Sequence, residues 1–556
     1  MTAINRAALV AAVVMTALMA CSYLIGAMAG SMALPRFMAF FTFIYTPLAT
    51  YAWVWLIGAV WQRLQGGALI RRAGDVMALA RPANDVLIGP NLVIGWVPGE
   101  LGRRILMLRP GDLGRPETGH VLLVGSTRCG KGLWASLQMA IWDAGPIVAI
   151  DVKGGMDYTA RALDPLMIRG YEIRYSHVSA GVGDGFDPVA WVRDPIRIAS
   201  MFQDLFAVGR GERWDSVFRE AGAALATAVA VWALERGIPF VEALKEALAM
   251  GPARWIDEAV KGQQTAIWAT RAAALAGVGA KDLTPGVMQR TLLQHGWSDM
   301  ANRLRGLLDR EGMVKGVPMA FEGDRWAWVI AVDQADLEAL RSVVQLWMWA
   351  LLNEIAARRD RQPGPPMLVI VDEAAAVGVP GLPRWYATLA GRQVSIASIW
   401  QTVGQIVGTY GPEGMSEIVG NSSLILVAGG NPDVQTVEWA SEVLGAHEVW
   451  MPSLHEGGSI LDWRMSYAKQ VRPWIRPDEL SRMDPSVWAV RAGGLRGLVW
   501  RAGALEFGLQ VTEERKRMLE AVASQRYLPR VSLRSLTEGS GSGSGQGEEP
   551  KSWLEA

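Results

Sequence analysis

The longest apolar stretches of the chain lie at its N-terminus. No charged residue occurs from Ala7 to Pro35, Arg36 interrupts the run, and none occurs again from Phe37 to Gln62. Because a helix crosses the hydrocarbon core of a bilayer in about 20 residues, each stretch is long enough to span a membrane. The pattern predicts a transmembrane hairpin over residues 1–63, with its two spans at about 7–30 and 37–61.

The charges that flank the two spans predict their orientation. Arg6 precedes the first span, and Arg63 and two further arginines follow the second. Lys and Arg collect on the cytoplasmic side of a membrane, so both ends of the hairpin and the bulk of the chain are expected in the cytoplasm. A rival interpretation treats residues 1–20 as a cleaved signal, because the residues before Cys21 resemble a lipoprotein cleavage site. It leaves the second span unchanged.

Beyond the hairpin, short apolar runs alternate with amphipathic segments. Runs of β-branched and aliphatic residues predict buried parallel strands, and apolar residues at a 3.6-residue period predict helices. The predicted strands are 121–124, 146–152, 326–332, 367–371 and 394–400, and the predicted helices beside them are 133–142 and 336–358. This alternation indicates an α/β fold.

The middle of the chain has a different pattern. From about residue 194 to residue 319 the periodicity is helical and no strand is evident. The sequence therefore predicts an α/β domain formed by residues 64–193 and 323–515, into which an all-α domain of residues 194–322 is inserted.

The C-terminus differs in composition from the rest of the chain. Residues 516–556 are expected to form an extension, and its part from about residue 537 is acidic and rich in Gly and Ser. Such a segment cannot bury enough apolar surface to fold, so we expect a flexible tail. The tail is either natural or a linker that was added to the chain, and the sequence leaves both open.

Charge and cysteine content exclude some classes of site. The chain has 54 Lys and Arg against 54 Asp and Glu, so any contact with nucleic acid must come from a local basic patch. Its two cysteines, Cys21 and Cys129, lie in the predicted membrane span and in a glycine-rich loop, which suits a reducing compartment. The five histidines are scattered, and no Cys/His cluster has the spacing of zinc ligands.

A phosphate-binding loop follows the first predicted strand of the α/β domain. Glycines in such a loop let backbone N–H groups close around phosphates, and its lysine reaches the β- and γ-phosphates. The loop residues expected to bind nucleotide are Gly125, Ser126, Thr127, Arg128, Cys129, Gly130, Lys131 and Gly132. Gly132 stands where Ser or Thr usually ligates Mg²⁺. The strand before the loop and the helix after it supply the context that this motif requires.

Two adjacent carboxylates end the strand predicted at 367–371. Asp372 is expected to hold Mg²⁺ through its water shell, and Glu373 to polarise the attacking water. The alternative is an ordinary core strand followed by a helix N-terminus, where acidic residues are favoured in any protein. The upstream phosphate-binding loop favours the catalytic interpretation.

Several motifs together resemble one family. They are Gly-Ser-Thr-Arg-Cys-Gly-Lys-Gly, Ile-Asp-Val-Lys-Gly, Phe-Asp-Pro, Val-Asp-Glu-Ala, Ile-Trp-Gln-Thr-Val-Gly-Gln-Ile with Tyr410-Gly411 beyond it, the block 421–430 with Asp433, and the block 471–480. In this order and spacing, from the hairpin to about residue 510, the chain resembles the TraG-like coupling-protein ATPases of type IV secretion and conjugation. Gly132 is common in that family. Gly155, by contrast, stands where the family usually has Glu, and the loop between the two spans is unusually short.

The resemblance implies a fold, an assembly and residue roles. It implies a RecA-like nucleotide-binding domain with an inserted all-α domain, a hexameric ring in the bacterial inner membrane, and ATP and Mg²⁺ as cofactors. Lys131 matches the phosphate-binding lysine, Asp372 and Glu373 match the Walker B acids, and Gln401 matches the glutamine at the end of the next strand. Gln401 is expected to sense the γ-phosphate or to orient water; the alternative is an amide that caps the strand.

Arg392, just before the strand at 394–400, is a candidate for an arginine that acts across a subunit interface. Surface arginines are common, so an ordinary surface role remains the alternative. Such an arginine would add a third catalytic side chain to Glu373 and Gln401, and would stabilise charge on the transferred phosphoryl group.

The leading hypothesis is therefore an ATPase that recruits DNA–protein (relaxosome) or effector-protein substrates to a type IV secretion channel, with channel components and the lipid bilayer as further partners. Two alternatives stay open. One is a double-stranded DNA translocase of the cell-division type, which would be expected to carry more membrane spans and a C-terminal DNA-reading domain. The other is a receptor or scaffold in which nucleotide only assembles the ring, a possibility that the missing hydroxyl at Gly132 keeps open.

Overall fold

A computed structural model describes residues 74–82, 89–99, 102–155, 158–209, 215–275, 287–316, 323–360, 362, 364–456, 463–502 and 517. The predicted membrane hairpin and the predicted Gly/Ser-rich tail lie outside these residues. The chain divides into two compact units, of which the first comprises residues 1–74 and 97–102 and the second comprises residues 75–96 and 103–556. Nearly all described residues belong to the second unit.

The dominant element is one large mixed sheet. Its strands are β1 (Ala80–Pro82), β2 (Leu92–Gly99), β3 (Gly102–Leu108), β4 (His120–Val124), β5 (Ile147–Asp151), β6 (Glu172–His177), β7 (Val182–Gly183), β8 (Trp326–Ala331), β9 (Met367–Val371), β10 (Val394–Trp400), β11 (Ser422–Ala428), β14 (Val487–Ala492) and β15 (Leu495–Arg501). They are ordered β1-β3-β2-β15-β14-β11-β4-β10-β9-β5-β8-β6-β7. Between β11 and β14 in the chain, β12 (Ala446–Glu456) and β13 (Trp463–Pro473) form a separate antiparallel hairpin.

The sheet is parallel from β11 to β6. Every residue of β4, β5, β8, β9 and β10 is buried. This is the reason that these strands are predominantly apolar, with His120, Asp151 and two serines of β10 as polar members, since helices cover both faces of a parallel sheet. The α/β fold and the strands predicted at 121–124, 146–152, 326–332, 367–371 and 394–400 are confirmed, with ends shifted by a residue at most. Antiparallel strands β14 and β15 extend the sheet on one side.

Helices connect and flank these strands. They are α1 (Lys131–Ile141), α2 (Tyr158–Ile168), α3 (Pro188–Val192), α10 (Leu337–Arg359), α11 (Ala374–Val377), α12 (Leu382–Leu389), α13 (Val403–Gly420), α14 (Val434–Leu444) and α15 (Pro477–Arg482). Short 3-10 helices cover Gly74–Leu79 and Ala390–Arg392. Helix α10 has 13 buried residues, all between Leu337 and Leu352, and is the longest helix of this group.

A run of helices separates β7 from β8. It comprises α4 (Pro195–Ala207), α5 (Asp215–Arg236), α6 (Phe240–Met250), α7 (Pro252–Ala259), α8 (Gln264–Leu275) and α9 (Val287–Asp309). Asp187, from the Phe-Asp-Pro motif, anchors this run to the sheet. One carboxylate oxygen accepts from the backbone N–H groups of Val189 and Ala190, and the other accepts from that of Phe240 at 2.7 Å. The bounds of the inserted domain stay a prediction.

Within the described residues, no single helix is both long and apolar enough to cross a membrane. One pair, Arg219–Arg236 and Phe240–Met250, meets the length and composition criteria only when its two helices are taken together across a bend of 118°.

Candidate nucleotide-binding site

The loop between β4 and α1 has the backbone of a phosphate-binding loop. Gly130, the residue before α1, has φ of 91°, and Arg128 also has a positive φ, 65°. No side chain caps the start of α1. The first N–H groups of this 11-residue helix are therefore available to an anion, and the helix dipole favours negative charge at this end.

Lys131 lies inside this loop. Its Nζ donates to the carbonyl oxygen of Gly125 at 2.5 Å and to that of Ser126 at 2.8 Å, and the residue is 8% exposed. These contacts hold the ammonium group beside the backbone that would surround the phosphates, as the motif predicts. Cys129, next to it, is buried, and burial raises the pKa of its thiol even though Lys131 and Arg501 act in the opposite direction.

Strand order brings three predicted segments to one edge of the sheet. Strand β10 lies between β4 and β9 and is parallel to both. Trp400, its last residue, is paired with Val124, the last residue of β4, and Ser398 is paired with Val371, the last residue of β9. The phosphate-binding loop, Gln401 and the acidic pair that follows β9 therefore meet at the carboxyl ends of adjacent strands.

Glu373 and Gln401 are in direct contact. Gln401 Nε2 donates to Glu373 Oε2 at 2.9 Å. Glu373 has φ of 44°, a conformation that a non-glycine residue adopts at a cost of order 1–3 kcal/mol. The surrounding backbone thus holds the carboxylate in a strained position, and the amide orients it. This contact places the Gln401 amide beside Glu373; its role in sensing phosphate or orienting water stays a prediction.

Asp372 is buried beside a second carboxylate that our sequence reasoning missed. Burial, Asp151 and Glu373 raise the pKa of Asp372 to about 7, against an opposing effect of Lys153. Asp151 ends β5, whose penultimate residue pairs with Val371, so the two aspartates follow neighbouring strands. The signal available in the sequence was a second strand ending in an acidic residue, within Ile-Asp-Val-Lys-Gly.

This carboxylate cluster fits a hydrated Mg²⁺ ion. Asp151 and Glu373 both raise the pKa of Asp372, and Lys153 only opposes this in part, so a divalent ion at Asp372 would relieve the repulsion. In the described part of the chain, no three His, Cys, Asp or Glu side chains are grouped as a protein-only metal site. Mg²⁺ does not require one, because it commonly keeps several waters and binds through one or two carboxylates plus phosphate.

Arg392 lies apart from these residues. It precedes β10 and is therefore at the amino end of the strand whose carboxyl end leads to Gln401. Its guanidinium donates to Asp360 Oδ1 at 2.7 Å and to the carbonyl oxygen of Thr388. The fold does not bring Arg392 to the nucleotide site of its own chain, and its role across a subunit interface stays a prediction.

The backbone beyond Glu373 is tied to helices that adjoin the inserted domain. Gln345 of α10 donates through Nε2 to the carbonyl oxygens of Val377 and Gly378, both at 2.9 Å. Asp204 of α4 accepts from Trp349 Nε1 at 2.7 Å and pairs with Arg384 at 2.6 Å. Burial raises the pKa of Asp204, and both of these partners oppose that rise. The segment after β9 is thereby connected to α10 by buried hydrogen bonds and to α4 by a partly exposed ion pair.

Comparison with known proteins agrees with this geometry. Residues 366–485 match a family described as the TraM recognition site of TraD and TraG. This segment begins at β9, includes Glu373 and Gln401, and ends just before β14. The resemblance to TraG-like coupling proteins is confirmed. Curated protein sequences give no significant match.

Solved structures share the fold. The trigonal form of bacterial conjugative coupling protein TrwBdeltaN70 in complex with sulphate is 17% identical, with a TM-score of 0.51 over 70% of this chain and 88% of that one. Plasmid coupling protein TrwB in complex with ADP and Mg²⁺ is 15% identical, with a TM-score of 0.50 over 71% and 85%. TrwB with the ATP analogue ADPNP is 14% identical, with a TM-score of 0.50 over 73% and 89%. The chain thus shares the fold of these coupling proteins, two of which hold a nucleotide.

Proposed function

We propose that this chain is a membrane-anchored ATPase that recruits DNA–protein or protein substrates to a type IV secretion channel and drives their transfer. The observation that supports this function most is the match of residues 366–485 to the TraD and TraG family. That segment carries Glu373 and Gln401, which are in hydrogen-bond contact beside the phosphate-binding loop. Family membership and site geometry therefore point to the same residues.

The residues at the strand ends account for hydrolysis. Lys131 and the N–H groups at the start of α1 would bind the β- and γ-phosphates. Asp372, with Asp151 beside it, would hold hydrated Mg²⁺, which when bound neutralises charge on the phosphate oxygens. Glu373 would accept a proton from the attacking water, and Gln401, which already donates to Glu373, would orient both.

The same contacts offer a route from hydrolysis to movement. Val377 and Gly378, which follow Glu373 closely, are held by Gln345, and Arg384 is paired with Asp204 of α4. A shift of Glu373 during hydrolysis would displace this segment, and these polar contacts would pass the displacement to α10 and α4. Substrate bound by those helices would then be moved by ATP turnover.

The proposed assembly is a hexameric ring at the bacterial inner membrane. The hairpin predicted at residues 1–63 would anchor it, and the remainder would face the cytoplasm, where ATP is available. Its partners would be inner-membrane channel components and the relaxosome. Binding to a TraM-type partner would fall within residues 366–485, because the matching family is described by that recognition.

One observation favours a second function. Gly132 supplies no hydroxyl for Mg²⁺, as a receptor that binds nucleotide mainly to assemble a ring would allow. The two functions differ in whether transfer of cargo requires ATP hydrolysis or only nucleotide binding. Transfer of the natural cargo by cells that carry Glu373→Gln in place of the wild-type chain separates them: the proposed motor requires loss of transfer, whereas a scaffold would retain it.

Arg392→Ala is expected to bind ATP normally and to lose hydrolysis by about 10³-fold, because the arginine would complete the neighbouring subunit's site in the ring. Mixed rings of Arg392→Ala and Lys131→Ala subunits should regain part of the activity, since some interfaces pair an intact loop with an intact arginine. Steady-state ATP turnover of the mixtures, with ring assembly verified by native mass spectrometry, measures this.

The matched control for Arg392 is Arg358→Ala. Arg358 pairs with Glu354 on the exposed face of α10 and lies near the same end of the sheet. Its removal should leave turnover unchanged. Mixtures that assemble into rings and stay as inactive as the separate variants would refute the role across the interface.

The membrane hairpin predicts a reporter pattern. Alkaline phosphatase fused near Pro35 should be active, because that turn would reach the periplasm, and a fusion after Arg72 should be inactive. A β-galactosidase fusion at each point serves as the control, since its activity should show the reverse pattern. Activity of the phosphatase after Arg72 but not near Pro35 would contradict the orientation.

A further inference from the structure

An arginine distant in sequence lies directly on the phosphate-binding loop. Arg501 ends β15, which is separated from β4 in the sheet by β14 and β11. A Cβ added to Gly130 would lie 2.6 Å from Arg501 Nη1, 2.7 Å from Cζ and 2.8 Å from Nε. Because three atoms of the guanidinium are at nearly equal distance, its flat face covers the backbone of Gly130.

Glycine suits position 130 because its φ of 91° lies in a region that side chains rarely adopt. A Cβ there would also meet the guanidinium of Arg501, the flexible end of that side chain, which would have to shift. The loop backbone and the guanidinium are therefore in close contact. Arg501 is held there by its own backbone, whose N–H donates to the carbonyl oxygen of Ser486 at 2.8 Å.

The guanidinium has the chemistry of a phosphate ligand. It is half-buried, and within the described ranges it donates no hydrogen bond and forms no ion pair below 4.0 Å. A guanidinium presents a planar set of N–H donors that matches phosphate oxygens, and it is weakly hydrated, so a partly buried position costs it little. Lys131, the residue directly after Gly130, supplies another positive charge at the same loop.

We propose that Arg501 binds a phosphate group of the nucleotide in the loop of its own chain, alongside Lys131; this inference rests on the proposed nucleotide-binding function. The geometry assigns to β15 a role at the active site, since its terminal residue lies over the residue that precedes α1. The ligand class is a nucleoside di- or triphosphate. Lys131 within the loop and Arg501 against it would both neutralise the negative charge of its phosphates.

The test compares substitutions that separate charge from packing. Arg501→Gln keeps much of the side-chain length and removes the charge, and Arg501→Lys keeps the charge. Arg496→Gln is the matched control, because Arg496 lies on the same strand and donates instead to the carbonyl oxygens of Leu444 and Ala446. The affinity of the purified full-length proteins for a fluorescent ATP is measured by titration. Their affinity for adenosine is measured by its competition with that fluorescent ATP.

The expected result is that Arg501→Gln weakens ATP binding by about tenfold to a hundredfold, the loss typical of one charged hydrogen-bonding group, and leaves adenosine unchanged. Arg501→Lys should bind ATP within about tenfold of wild type, since one charged contact is kept in altered geometry. Arg496→Gln should bind as wild type does. If Arg501→Gln lowers the melting temperature more than Arg496→Gln does, the ATP affinity of Arg501→Lys becomes the test. An Arg501→Lys protein that is folded but does not bind ATP overturns the proposal.

Two further outcomes also overturn it. Unchanged ATP affinity of Arg501→Gln, with binding lost in Lys131→Ala, would show that Arg501 only packs on the loop while the nucleotide site is real. An equal loss for ATP and adenosine would show that Arg501 does not act on phosphate. Absence of ATP binding by the wild-type protein would instead refute the proposed function on which the inference rests.

Discussion

Lys131→Ala is expected to reduce ATP hydrolysis to background and to weaken ATP binding by about a hundredfold. The ammonium group lies within the loop, where it donates to the carbonyl oxygens of Gly125 and Ser126. A charged hydrogen bond contributes about 1.5–3 kcal/mol, and each 1.4 kcal/mol is tenfold in affinity. Hydrolysis suffers more, because negative charge is redistributed over the phosphate oxygens in the transition state.

The variant should still fold. Lys131 is itself the buried charge, and its two hydrogen bonds go to neutral carbonyl oxygens, so its removal leaves no buried charge without a partner. The melting temperature without nucleotide checks this. Lys261→Ala is the control, because Lys261 is exposed and pairs with Glu258 at the end of α7, away from the loop. ATP turnover at the wild-type rate in a folded Lys131→Ala protein would mean that the loop is not the hydrolytic site.

Glu373→Gln is expected to bind ATP at close to wild-type affinity and to hydrolyse it at least about 10²-fold more slowly, in the range that general-base removal usually costs. The substitution is nearly isosteric. The glutamine carbonyl oxygen can still accept from Gln401, whose Nε2 donates to Glu373 Oε2 at 2.9 Å, so the geometry of the site is kept while the base is lost. Asp372 and Asp151 are untouched and would continue to hold Mg²⁺.

Single-turnover hydrolysis after rapid mixing isolates the chemical step from product release. Glu338→Gln provides the control, because Glu338 is an exposed acid in the first turn of α10. An unchanged single-turnover rate in Glu373→Gln would place the catalytic base elsewhere, and Asp151 would become the next residue to replace. A loss of ATP binding equal to that of Lys131→Ala would instead assign Glu373 to metal or phosphate binding.

The strands that carry the site were predictable from the sequence, but the order in which they lie in the sheet was not. Strands β4, β9 and β10 are mostly apolar because they are buried on both faces; their polar members, His120, Ser395 and Ser398, are buried as well. Their adjacency was not visible in the sequence, since it depends on crossovers that connect distant segments. For the same reason Asp151 escaped notice: its closeness to Asp372 follows from the pairing of β5 with β9.

The antiparallel side of the sheet was missed for a related reason. Strands β14 and β15 follow the family-like block at 471–480 and are joined by a two-residue turn, Gly493 and Gly494, which could be recognised locally as a hairpin. Which strand this hairpin pairs with is decided by β11, at a distance of about 60 residues along the chain. Arg501 therefore looked like any surface arginine until the sheet placed it on Gly130.

The measurement that tests the central claim most directly is steady-state ATP turnover by the purified full-length wild-type protein, with Glu373→Gln as its reference and with and without DNA. The account predicts Mg²⁺-dependent turnover that is well above that of Glu373→Gln, and stimulation by DNA identifies a nucleoprotein cargo. Wild-type protein that binds ATP yet turns it over no faster than Glu373→Gln, under both conditions, would contradict the claim that this chain is a hydrolysing motor.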